Sequence, residues 1–310
     1  MSTPTEKTRA DGGTADAASV DTGSDTDSEP VRRSSNSFLG DVWVNFKRWN
    51  LKAVRNPFVL VVSLVQPIIF LVLFTQVFGN VATSAINRGG GAAISYETYL
   101  VPAIAIQVAL AAAATSGVGL VNDIENGMFE KVLVSPMNRA AVFVGKTAAE
   151  VLRIALQIGI ILGLGVLLGA DIATGVPGAL GIVAIGVLFS FWFVSLSNSL
   201  AVLTKDQEST IVGVNLLQFP LLFVSTAFLP LSALPDWIRV VATYNPITYG
   251  VDAARAVMLD ADVMTVIEVS AFGGLWNTLV PALAVLVALD LVLGSVAVYL
   301  LGRASSSNVQ

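Results

Sequence analysis

Six stretches of this 310-residue chain, 58–78, 99–121, 151–168, 176–203, 211–231 and 279–301, are almost continuously apolar. Each approaches or exceeds the roughly 20 residues with which an α-helix crosses a bilayer. Hydrocarbon offers no partner to a backbone amide, so a spanning chain must bond internally as a helix or close into a barrel. Barrel strands would appear as alternating segments of about ten residues, and these runs are too long and too uniformly apolar for that. The expectation is an all-α membrane protein with six transmembrane helices. Composition agrees: 13% of residues are charged and mean hydropathy is +0.76, whereas soluble domains carry about 25% charge.

What is missing narrows function. The chain has no cysteine and no histidine. Disulfides, thiolate nucleophiles, the usual proton shuttle and the commonest metal ligand are all excluded, so no catalytic residue and no metal site is expected. The formal net charge of −5 comes from the N-terminus, where seven of the 22 acids fall within the first 30 residues. Residues 1–37 are rich in Ser, Thr, Gly, Asp and Ala without an apolar core, which reads as a disordered acidic arm and not a signal peptide. A transmembrane domain over 38–302 and a short tail over 303–310 complete the expected organisation.

Lysine and arginine orient the spans. Fourteen fall before the first span, in or just after the second connection, in the fourth connection or after the last span; Arg88, Arg239 and Arg255 are the three on the opposite side. The positive-inside rule then places both termini in the cytoplasm of a multi-pass cell-membrane protein. Ahead of the first span, residues 38–57 mix apolar and basic side chains. Helical spacing puts Phe38, Val42 and Phe46 on one face near Trp49, with Lys47, Lys52 and Arg55 turned to lipid headgroups, as in an interfacial helix. The 79–98 connection holds Gly89, Gly90 and Gly91 and reads as a flexible external loop. No Gly-Lys-Ser or Gly-Lys-Thr follows the glycines, so a phosphate loop is not indicated. If ATP is used, another polypeptide holds it.

Two connections carry further pattern. Between the second and third spans, 122–146 reads NDIENGMFEKVLVSPMNRAAVFVGK. A short helix over 123–134 would set Asp123 and Glu125 in its first turn, near unpaired amides. Ser135-Pro136 would end it, and Asn138 would cap a second helix starting near Arg139. Met128, Phe129, Val132 and Leu133 would form an apolar knob beside Glu130 and Lys131, suited either to a partner's groove or to this chain's own spans. The 230–278 connection contains an apolar patch at Trp237, a break at Asn245-Pro246 and a helix-compatible run over 247–259. That segment is either a surface helix or a partly re-entrant hairpin. Within the spans, Gln66, Gln107, Asn198, Asn215 and Asp290 form a candidate polar set that either lines a route or bonds helices together.

The spacing E-N-G-x-x-E-K-x-L-V-S-P-M-N-R from Glu125 to Arg139, with Gly145-Lys146 after it, resembles the connection of the ABC-2 type transporter permeases, especially their daunorubicin-resistance and multidrug-efflux group. The run Tyr244-Asn245-Pro246-Ile247-Thr248-Tyr249, followed by Asp252, Arg255 and Leu259, is similar to the stretch before that family's last span. The likeness extends over 38–302. It implies six spans, an N-terminal interfacial helix and a re-entrant hairpin over 237–259. It also implies a dimer of permeases working with two ATP-binding subunits, which hold ATP and Mg, while this chain holds no cofactor and contacts lipid and no nucleic acid. Coupling to that partner would run through Asn122, Asp123, Glu125, Gly127, Met128, Phe129, Glu130, Lys131, Leu133 and Pro136, and the hairpin would include Trp237, Asn245, Pro246, Tyr249, Asp252 and Arg255. The implied activity is export of an amphipathic drug-like or lipid-like molecule. A scaffold of the same fold, an exporter of polysaccharide or lipid-linked cargo, and an ion-coupled carrier using Asp290 remain as alternatives.

Overall fold

In the computed structural model the described residues are 38–55, 57–86, 94–127, 139–267 and 270–307. The expected arm over 1–37 lies outside them. The described residues are helical apart from short connections: α1 (Phe38–Arg55), α2 (Pro57–Ile86), α3 (Tyr96–Glu125), α4 (Arg139–Leu167), α5 (Gly175–Thr204), α6 (Gln207–Phe223), α7 (Asp236–Tyr244), α8 (Pro246–Leu259) and α9 (Trp276–Ser307). Five of them, α2, α3, α4, α5 and α9, contain windows long and apolar enough to cross a membrane. The chain is an all-α, multi-pass membrane protein.

The apolar run over 211–231 behaves differently from the other five. Its helix, α6, stops at Phe223 after 17 residues, about 25 Å at 1.5 Å per residue, short of a hydrocarbon core of about 30 Å. The physical cause is a competing donor. Asn245 Nδ2 donates to the carbonyls of Leu221 at 2.5 Å and Val224 at 2.7 Å, which ends the helical ladder, and residues 224–230 continue as irregular backbone. Helix boundaries elsewhere are also longer than hydropathy gives. α2 absorbs 79–86 of the expected external loop, and α3 continues to Glu125, so Asp123 and Glu125 occupy the last turn of a spanning helix and not the first turn of a separate one.

α3 is the centre of the bundle, packed by α2, α4, α5, α6 and α8. A helix apolar all round and lined with alanine suits that position. Its closest neighbour is α5. A Cβ on Gly117 would collide with the backbone carbonyl of Ser197, whose hydroxyl accepts from Gly117 N at 3.0 Å and donates to Ala114 O at 2.8 Å. On α4, Gly165 is pressed on Val101 of α3, whereas Gly159 and Gly163 face open space.

α1 docks on α4 at Gly145, where an added Cβ would meet Asn45 Cβ and the Val42 carbonyl at 2.7 Å. Asp41 and Asn45 are buried in that contact, with Val42, Phe46 and Trp49 partly covered beside them. The exposed face carries Leu39, Trp43, Val44, Leu51 and Val54 together with Lys47, Arg48 and Arg55. Of the residues expected to form the lipid-seeking face, Phe38 is exposed, whereas Val42, Phe46 and Trp49 turn toward protein, and the opposite face mixes apolar and basic side chains as a headgroup-level helix requires. Phe70, Phe74 and Phe78 likewise serve packing: Phe74 stacks on Phe228 at 4.6 Å and on Phe78 at 5.3 Å, and Phe70 meets Phe228 edge-on at 6.0 Å.

Gly117→Ala is expected to lower stability in detergent by about 1–3 kcal/mol, the usual cost of overpacking. Gly119→Ala, whose Cβ meets nothing within 4 Å, should be neutral or stabilising. Thermal unfolding of the two variants side by side checks this.

Candidate functional site at the two ends of the bundle

One end of the bundle gathers α1, the last turn of α3, the start of α4 and the α5–α6 connection, and it carries most of the basic residues. α3 is closed by Asn126, whose N–H bonds back to Asn122 O at 3.1 Å, and by Gly127 at φ +62°, a left-handed conformation that glycine adopts without strain. Acids in the last turn of a helix oppose its dipole, and neighbouring chains offset this. Lys146 Nζ lies 3.8 Å from Asp123, and Gln207 Nε2 donates to Glu125 Oε2 at 2.6 Å. Asp206 caps α6 by accepting from Ser209 N at 2.7 Å, and that hydrogen bond holds its carboxyl below the usual carboxylate range. Asn122, Asp123, Glu125 and Gly127 are thus placed together. Met128, Phe129, Glu130, Lys131, Leu133 and Pro136 lie outside the described residues.

Behind this rim is a polar cluster that hydropathy hides. Lys146 also sits 4.0 Å from Glu150 and 5.5 Å from the centre of the Trp49 ring. Ser116 Oγ is 3.2 and 3.3 Å from the two Glu150 oxygens and 3.3 Å from Asn198 Oδ1. A turn deeper, Arg153 donates to Ala112 O at 3.1 Å and to Thr115 Oγ1 at 3.0 Å. Glu150 and Ser116 were not legible as site residues from the apolar runs, because each borders or interrupts a span as a single polar position. The spacing Lys146, Glu150, Arg153 on one helical face is the signal that could have found them.

At the opposite end, α7 and α8 form the hairpin. Asn245 begins α8 by accepting from Ile247 N at 3.0 Å, and Pro246 follows where its missing N–H costs nothing. α7 stays at the surface, with Trp237 exposed, whereas α8 is buried along nearly its whole length. Tyr249 donates to Thr243 O at 2.9 Å and braces the two helices. Asp252 and Arg255 are 0% and 2% exposed and 3.8 Å apart. Arg255 donates to Tyr99 O at 3.0 Å and Ala227 O at 2.8 Å, and its guanidinium lies 3.6 Å from the centre of the Tyr99 ring. Asp252 accepts from Thr226 at 3.3 Å and from the Thr265 hydroxyl and amide at 2.6 and 3.1 Å. Tyr96 and Tyr99 donate to Phe228 O at 3.0 Å and Thr226 O at 3.3 Å. The irregular backbone after α6 is held almost entirely by side chains of α3 and α8.

The five intramembrane polar residues are not joined: among the described residues no hydrogen bond links any two of them. Gln107 is buried in α3 with Oε1 unpaired, Gln66 is partly covered on α2, and Asn215 is exposed on α6. Asn198 belongs to the cluster at the basic end. Asp290 lies on α9 facing Trp192 of α5, with both carboxylate oxygens buried and making no hydrogen bond among the described residues. No grouping of three or more His, Cys, Asp or Glu that could hold a metal occurs among the described residues.

Removing Arg255 would strand Asp252 and two backbone carbonyls, so Arg255→Ala is expected to destabilise by about 3–5 kcal/mol, as for other broken buried pairs. A double variant Asp252→Leu with Arg255→Met should lose less than the sum of the single changes. Unfolding midpoints of the wild-type chain, Asp252→Leu, Arg255→Met and the double variant, compared as a double-mutant cycle, measure the coupling.

Comparison with known proteins agrees with this arrangement. The sequence profile of the ABC-2 type transporter family matches residues 40–259. The daunorubicin resistance ABC transporter permease protein DrrB1 of Streptomyces coeruleorubidus is 28% identical over 202 residues, covering 65% of this chain and 69% of its own length. The probable doxorubicin resistance ABC transporter permease protein DrrC of Mycobacterium tuberculosis is 24% identical over 228 residues, covering 74% of this chain and 80% of its own. The matched region takes in α1, the cluster at the basic end and the whole hairpin. The chain belongs to the ABC-2 type transporter family and is a permease-type membrane component of an ABC transporter.

Proposed function

We infer that this chain is the permease of an ATP-driven exporter that moves an amphipathic, drug-like or lipid-like molecule outward across the cell membrane. The observation that carries the reading is the meeting of α3 and α4 at the basic end, with Asp123 bridged to Lys146, on either side of the segment that bears the family-like motif. A push on that segment is applied to the last turn of α3 and the start of α4, which this ion pair joins. The sequence has no nucleotide loop, so ATP and Mg belong to a separate ATP-binding subunit. Two copies of that subunit dock on two copies of this chain, a homodimer. Asn122, Asp123, Glu125, Gly127, Met128, Phe129, Glu130, Lys131, Leu133 and Pro136 form the coupling surface.

The charge bias turns the basic end, both termini and this surface to the cytoplasm. The hairpin around Trp237, Asn245, Pro246, Tyr249, Asp252 and Arg255 then lies in the outer leaflet. α6 makes a sixth crossing, its missing length supplied by the irregular 224–230 backbone, which is admissible at that depth because protein side chains satisfy it. The cargo class rests on the names of the relatives, which concern daunorubicin and doxorubicin resistance, and on a bundle whose spans offer few charges.

Co-expression with the ATP-binding subunit, reconstitution into vesicles and measurement of ATP-dependent daunorubicin efflux test this reading. Glu125→Ala is expected to reduce efflux about tenfold, equivalent to about 1.4 kcal/mol of coupling, and full efflux without ATP or without that subunit would contradict it. Because the chain has no cysteine, single cysteines at Ile124 and Asp262 give a clean topology test. A membrane-impermeant maleimide applied to intact cells should label the position at Asp262 and leave that at Ile124 unlabelled.

A further inference from the structure

The Ser116 hydroxyl faces three acceptors, the two Glu150 oxygens on α4 and Asn198 Oδ1 on α5, at 3.2 to 3.3 Å. A hydroxyl has one proton to donate, so it donates to α4 or to α5 and can bond the other only as an acceptor. With the Asn198 amide turned, its Nδ2 donates to Ser116 Oγ while Ser116 donates to Glu150, and the three side chains form one chain across three helices. α3 and α5 are already fixed to each other just beside it, by the Ser197 hydroxyl bridging Gly117 N and Ala114 O. Among the described residues no hydrogen bond to backbone joins α4 to α5, whereas Arg153 of α4 donates to Ala112 O of α3. On its other side Glu150 is held by Lys146, which reaches Asp123 at the rim and lies over Trp49 of α1. Both ionic side chains are mostly covered, 15% and 19% exposed, so the contacts are only weakly screened.

We propose that Glu150 is a positioning residue for coupling: its carboxylate ties α4, through Ser116 and Asn198, to the α3–α5 unit, so that a displacement received at the start of α4 moves α5 with it. This rests on the permease reading above and adds the internal route. Lys146 with Asp123 and Arg153 with Ala112 O hold α4 to α3, and the Glu150–Ser116–Asn198 contact is the one that extends the tie to α5. Lys146 and Asp123 gather the load at the rim, Glu150 receives it one turn deeper, and a single exchangeable hydroxyl passes it to α5. Such an element has two discrete hydrogen-bonded arrangements, which is the physical requirement for transmitting a state and not merely a strain.

The test uses the complete complex with its ATP-binding subunit and spin labels on Val144→Cys in α4 and Leu203→Cys in α5, diluted with unlabelled chain so that only distances within one protomer are read. Both positions are exposed. In the wild-type background α4 and α5 move together, so the distance between the labels stays fixed when a non-hydrolysable ATP analogue binds. In Glu150→Gln the distance shifts on binding the analogue, Ser116→Ala does the same, and Glu150→Asp restores the fixed distance. A merely structural role would lower the unfolding midpoint and leave this nucleotide response unchanged. A fixed distance in both Glu150→Gln and Ser116→Ala, or a nucleotide-driven shift in the wild-type background, overturns the proposal. Failure of the wild-type chain to bind the ATP-binding subunit overturns the permease reading instead.

Discussion

A helix that stops inside a membrane bundle leaves carbonyls with no partner, and the rest of this structure is arranged around that debt. Leaving such a group unbonded in a low-dielectric interior costs several kcal/mol. Beyond Phe223 the open groups are met by Asn245, Arg255, Tyr96 and Tyr99. Arg255 can be buried because Asp252 lies on the same helix face three residues away, the Tyr99 ring covers its guanidinium, and Thr226 and Thr265 satisfy the carboxylate. The hairpin is therefore more than a cover on the bundle: Asn245 and Arg255 supply part of the missing donors, Tyr96 and Tyr99 of α3 supply the rest, and the aromatic group of Phe70, Phe74, Phe78, Phe223 and Phe228 packs beside them on the side of α2.

The two ends of the bundle are built on different physics. At the hairpin end, buried groups are bonded to backbone and to each other, with Thr174 and Ala173 also tied to the last turn of α8. That end favours one arrangement. At the basic end, the ionic pairs are partly exposed, 15% and 19%, against 2% and 0% for Arg255 and Asp252, and a hydroxyl has more acceptors than protons. Contacts of that kind are weaker and exchangeable. A rigid seal at one end and an adjustable one at the other suit a membrane component that receives its driving motion from the side of α3 and α4.

The sequence displayed the spanning helices because lipid demands long uninterrupted apolar runs, and five of the six expected runs correspond to helices that can cross. It displayed α8 through Asn245-Pro246, since an Asn cap followed by proline has a purely local cause. It did not mark where α6 ends, because Asn245, which meets the open carbonyls there, is 24 residues from Leu221 along the chain. The burial of one face of α1 was hidden for a similar reason: Asp41 and Asn45 are covered only because Gly145, about a hundred residues along the chain, leaves room for them on α4. Glu150 was invisible as a site because Ser116 and Asn198, which give it meaning, lie 34 residues or more away from it or from each other.

By itself the sequence determined the solvent of this protein, the class of its secondary structure, the absence of cysteine and histidine chemistry and, through two short motifs, its family. These follow from hydropathy, residue inventory and local capping, all of which act over a few turns of helix. Only the tertiary structure decided where α6 ends, which face of α1 is buried, and that Asp252 with Arg255 and Glu150 with Ser116 are the polar centres of the two ends. Those outcomes depend on which donors and acceptors meet across helices, and that pairing is set by packing.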